Sequence, residues 1–76
     1  MDNYNFEYTD TFGGQANYCW VNRGTVKAKS TIHAARLARN ELGLTGIKGD
    51  VKFNQGDELW WTPRGSCTIL FITADY

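Results

Sequence analysis

One histidine, two cysteines and eight carboxylates are the groups in this 76-residue chain with catalytic or metal-binding chemistry to offer. A general base needs an orienting partner and a nearby nucleophile. His33, the sole histidine, falls on a helical segment with its side chain expected toward solvent. Cys19 and Cys67 lie in apolar, strand-like runs, where a thiolate is disfavoured. Two cysteines and one histidine cannot complete a four-ligand zinc site without carboxylates, and the carboxylates are scattered over separate strands and turns. Gly13-Gly14 is not followed by the Lys-Ser/Thr of a phosphate-binding loop. The reading is a non-enzymatic chain with no cofactor and no metal. A disulfide would require Cys19 and Cys67 to sit on neighbouring strands. The stretch Met1–Asn5 has neither the basic nor the apolar region of a secretion signal, so reduced, buried thiols and a cytoplasmic location are expected.

Binding chemistry is better represented. Eight basic residues balance eight acidic ones, which excludes a globally basic nucleic-acid binder and a strongly acidic DNA mimic. The balance hides a pattern. Positions 1–22 carry three acidic residues and no basic one, whereas positions 23–48 carry six basic residues against Glu41. Lys27, Lys29, His33, Arg36 and Arg39 therefore form a candidate cationic patch for phosphates or an acidic protein surface, with arginine offering planar, bidentate contacts. The plainer alternative is a solvated helix face neutralised by acidic strands. Trp20, Trp60 and Arg64 are candidate contact residues of a second kind, because Trp, Tyr and Arg dominate interface hot spots. Their alternative is cross-strand aromatic packing. Stacking on single-stranded nucleic acid is disfavoured, since apart from Arg64 the Trp-bearing strands are acidic or neutral.

The elements that must position these groups follow from periodicity. Tyr4, Phe6 and Tyr8 alternate with Asn5, Glu7 and Thr9, a strand with one apolar and one polar face. Gly13-Gly14 marks a turn. Residues 16–22 form a second strand, with Arg23-Gly24 breaking or bulging it before residues 25–29 resume. Ser30 is a good N-cap and Gly43 a plausible stop for a helix over 31–42. Its inner face is Thr31, Ala35, Ala38 and Leu42, flanked by Ala34, and its outer face holds His33, Arg36, Leu37 and Asn40, with Arg39 beside them. Residues 47–53, 58–62 and 67–74 read as three further strands, separated by turns at 54–57 and 63–66. The last, nearly all apolar, should be interior. Trp60 and Trp61 are adjacent on a strand and must point to opposite faces, so one of them cannot lie under the helix. It would share the open face with Trp20, Tyr18 or Tyr4.

The fold class is α+β: one domain over 1–76, an antiparallel sheet of four or five strands with one helix on one face, in the order β-β-α-β-β-β. No apolar run approaches the roughly 20 residues of a membrane helix, and no membrane partner is expected.

The segment Val26-Lys27-Ala28-Lys29-Ser30, followed by Ala34-Ala35 and Ala38, resembles a pattern common in very small phage and mobile-element proteins, in which a strand leads into an alanine-rich helix and then a hairpin. Some anti-CRISPR inhibitors of type I systems are similar in this layout. The resemblance implies inhibition by occupying a protein surface that normally receives nucleic acid, with a host protein or ribonucleoprotein complex as partner. Two other expectations stand beside it: nucleic-acid binding through the basic patch, and a homodimer formed through an open sheet face or the Tyr4–Thr9 strand.

Overall fold

The computed structural model describes residues 2–12, 15–54 and 58–74. Five strands, β1 (Asp2–Phe12), β2 (Gln15–Ala28), β3 (Gly49–Asn54), β4 (Glu58–Pro63) and β5 (Thr68–Ala74), and one helix, α1 (Thr31–Glu41), follow in the expected α+β order. The strands form one antiparallel sheet in the order β2-β1-β5-β4-β3. The β5 strand is interior, as its apolar run predicts. So is β1, whose two edges are both occupied, and a homodimer through the Tyr4–Thr9 strand is thereby removed. The free edges belong to β2 and β3.

Directly paired residues share a face, so the register assigns the two sides of the sheet. Tyr4, Phe6 and Tyr8 align with Ala74, Ile72 and Leu70, and the last two with Leu59 and Trp61. This is the side that α1 covers. Its small residues Ala34, Ala35 and Ala38 are buried and let the helix approach the bulky rings of Tyr4, Phe6 and Trp61. Burial of a large apolar side chain contributes about 1.5–3 kcal/mol, and all three of these rings come from strands.

The helix ends where its punctuation predicts. The Ser30 side chain accepts from the His33 amide at 3.2 Å, satisfying one orphan donor of the first turn. At the other end Gly43 takes φ +75° and Leu44 N–H bonds to the Arg39 carbonyl at 2.8 Å.

Several local expectations are corrected. Gly24 does not interrupt β2, which runs unbroken through it. A Cβ there would stand 2.5 Å from Cζ of Phe6, so the glycine makes room for that ring instead of bending the chain. The irregularity lies in β1, where the register shifts between Thr9 and Thr11. Beside it Thr9, expected on a polar exposed face, is fully buried and its hydroxyl donates to the Trp20 carbonyl. Leu37, assigned to the outer helix face, packs against the core. The third strand starts at Gly49, and Ile47 lies exposed outside it. The last strand starts at Thr68, which leaves Cys67 exposed as a free thiol and not buried as expected. The Gly13-Gly14 turn and positions 55–57 of the next lie outside the described residues, as does the side chain of Cys19.

No helix is long and apolar enough to cross a membrane, among the described residues.

Candidate functional site

The eight residues proposed for partner contact do not form one surface. Lys27 belongs to the β2 edge, paired with Asn3 on the face away from the helix. Lys29, exposed, follows that strand, and its amide donates to Nδ1 of His33 at 3.1 Å. His33 thus braces the strand-to-helix corner, an arrangement that accounts for it without a ligand. Trp20 and Trp60, expected together, lie on opposite sides of the sheet. Trp20, 43% exposed, meets the ring of Tyr8 edge-on at 5.5 Å, and Tyr8 in turn donates to Thr68 Oγ1 at 2.9 Å. Tyr4, another expected companion of the open face, is buried beneath the helix. The side chain of Tyr18 is outside the described residues.

The pair Trp60-Trp61 does split as strand alternation requires. Trp61 is buried under the helix and Trp60 is half-buried on the open face. There the Trp60 ring packs edge-on against Phe71 at 5.5 Å, Lys52 Nζ sits 5.7 Å from its centroid, and its Nε1 donates to Glu58 at 2.5 Å. Cross-strand packing therefore describes Trp60 well. Arg64, at the following turn, ion-pairs with Asp50 at 3.2 Å.

What remains is brought together by the C-terminal half of α1 and the loop after it. Arg36 and Arg39 are three apart on the helix and so neighbour each other on its surface. With Asn40, Thr45, Gly46 and Ile47 they line a cleft of about 350 Å³. Gly46 has φ +85°, a backbone shape open to glycine at little cost, and it turns the loop back toward the helix. Thr45 donates its hydroxyl to Oδ1 of Asn40, which leaves the Asn40 amide N–H₂ as a donor. Arg36 is exposed and makes no ion pair among the described residues.

Arg39 differs from its expected place beside the outer helix face. Its guanidinium lies 5.1 Å from the Trp61 centroid, a cation–π contact worth about 0.5–2 kcal/mol. Its Nε is buried with no hydrogen-bond partner, a state that costs about 1–3 kcal/mol for a buried donor. No carboxylate lines the cleft. Two guanidinium groups and the Asn40 amide thus give the cleft donors with no competing carboxylate, the chemistry that binds carboxylates and phosphates. A larger depression of about 440 Å³ along β1 and β2 contains Glu7 and Arg23. These two are paired with each other at 3.2 Å, so its charges are already matched.

Sequence reading identified Arg36 and Arg39 from type and spacing. It missed Asn40 as a donor, Thr45, and the role of Trp61 as the shelf for Arg39, because these depend on how the helix crosses the sheet. Comparison with protein-family models, with curated proteins and with solved structures yields no match.

Proposed function

We propose that this chain is a non-enzymatic binding module that docks an acidic surface of a host protein or ribonucleoprotein complex and inhibits that complex by occlusion. The observation that supports the reading best is the Arg36–Arg39 cleft: two guanidinium groups with no carboxylate in the lining, one of them over the Trp61 ring at 5.1 Å from its centroid. A partner carboxylate seated there gains bidentate, charge-assisted hydrogen bonds. An acidic protein surface is favoured over a nucleic-acid backbone by the charge count. Tight, salt-sensitive DNA binding draws on about 6–10 phosphate contacts, whereas the cleft offers two guanidinium groups in a chain of zero net charge.

The test is affinity capture from host lysate with the wild-type chain and with the double variant Arg36→Glu/Arg39→Lys, followed by an activity assay on the captured complex. Lysine at position 39 keeps the charge over Trp61 and removes the planar fork. The expected result is a stoichiometric complex, inhibited by the wild-type chain and lost with the variant. Equal capture by both chains, or capture of nucleic acid alone with a steep salt dependence, overturns the reading.

A further inference from the structure

The β3 edge carries a second contact surface, independent of the cleft. Val51 and Phe53 align with Trp61 and Leu59 and so belong to the helix side of the sheet, yet they are 52% and 55% exposed. On the other side of the same strand, Asp50 and Lys52 align with Thr62 and Trp60. The strand has a hydrogen-bonding partner on one edge only, β4, and an uncovered, partly apolar edge is a template for pairing.

We propose that this edge pairs with β3 of a second copy, antiparallel across a two-fold axis, with Val51 facing Val51. The commitment to a second copy rests on charge. A two-fold axis perpendicular to the sheet keeps each face on its own side, so only registers that pair even-numbered positions with even-numbered ones are allowed. Centring the axis on Asp50 sets aspartate against aspartate, and centring it on Lys52 sets lysine against lysine. Centring it on Val51 sets Asp50, which also meets Arg64 of its own chain at 3.2 Å, against Lys52 of the other copy, whose Nζ lies by Trp60, twice; both side chains are exposed and can be shared across the edge. On the helix side the same register joins the two valines and places each Phe53 opposite Gly49, beside the Trp61 ring that lies against that glycine. The other free edge has no such solution. The β2 sequence contains no acidic residue, and Arg23 and Lys27 project from one of its faces, so no register there yields an ion pair.

Sedimentation measurements up to millimolar concentration test this on the wild-type chain, on Asp50→Lys, on Lys52→Asp and on an equimolar mixture of the two variants. The wild type should dimerise. Each single reversal turns two attractive cross-strand pairs repulsive and should weaken self-association at least about tenfold. The mixture should recover it as a heterodimer, because the all-lysine edge meets the all-aspartate edge. Both positions are exposed, and circular dichroism checks that each variant folds. A wild-type monomer at millimolar concentration, single variants that dimerise like the wild type, or a mixture that stays monomeric overturns the proposal.

Discussion

The strands β2 and β3 both end the sheet, and each sets a glycine beside an aromatic ring of its inner neighbour. At β2 the glycine is Gly24 and the ring is Phe6; at β3 they are Gly49 and Trp61. Beyond that shared device the two edges diverge. The helix packs chiefly over β2, where Ala28 is buried beneath it, and the strand's outward charges are all of one sign. The β3 edge lies past the helix, with Val51 and Phe53 in solvent and charges of both signs. One edge carries charges of a single sign and repels a copy of itself, as edge strands commonly do. The other is open and self-complementary. The single helix packs against β2, β4, β5 and β1, and the β3 edge beyond it carries the residues that tolerate company.

The largest expected break in this comparison is at the glycines. A Cβ at Gly49 would stand 2.5 Å from Nε1 of Trp61 and 2.7 Å from the Thr62 carbonyl oxygen, while at Gly24 it meets only the ring of Phe6. A side-chain ring can tilt, but a backbone carbonyl inside a sheet cannot. Gly49→Ala should therefore destabilise by roughly 2–3 kcal/mol and Gly24→Ala by about 1–2 kcal/mol, read as a drop in the urea midpoint. The reverse ranking would show that Phe6 is the more tightly held ring.

A smaller effect on folding, but a decisive one on association, is expected from Val51→Thr/Phe53→Thr. Both side chains are more than half exposed, so each change should shift stability by less than about 0.5 kcal/mol. Self-association should disappear in sedimentation. A large loss of stability would mean that β3 is held by these residues and not by β4.

The smallest effects belong to the two surface ion pairs, one near each edge. Arg23–Glu7 and Arg64–Asp50 are both 3.2 Å apart and largely solvated. Removing either arginine should change the unfolding free energy by about 0–1 kcal/mol, less at high salt. A clear difference between Arg23→Ala and Arg64→Ala would reveal an unequal electrostatic environment at the two edges.

Much of the architecture was legible from residue order. Ser30 and Gly43 bracketed the helix within a residue, because a cap acts on amides and carbonyls a few positions away. Alternation put Trp60 and Trp61 on opposite faces for the same local reason, but that Trp61 is the one under the helix came with the fold. The cleft was half legible: Arg36 and Arg39 stood out by type and spacing, but nothing local told Arg39 to fold onto Trp61, a ring 22 positions along the chain. Gly24 misled because a glycine that relieves a cross-strand clash looks, in sequence, like one that bends a strand.

Periods, caps and turns are settled among near neighbours in the chain, so the primary structure already contained the five strands, the helix and the parity of their faces. Strand order, the burial of Thr9, the exposure of Val51 and Phe53 and the pairing of Tyr8 with a threonine 60 positions away came only with folding. They depend on which apolar faces bury one another most completely, a competition among segments that no single stretch of residues can decide.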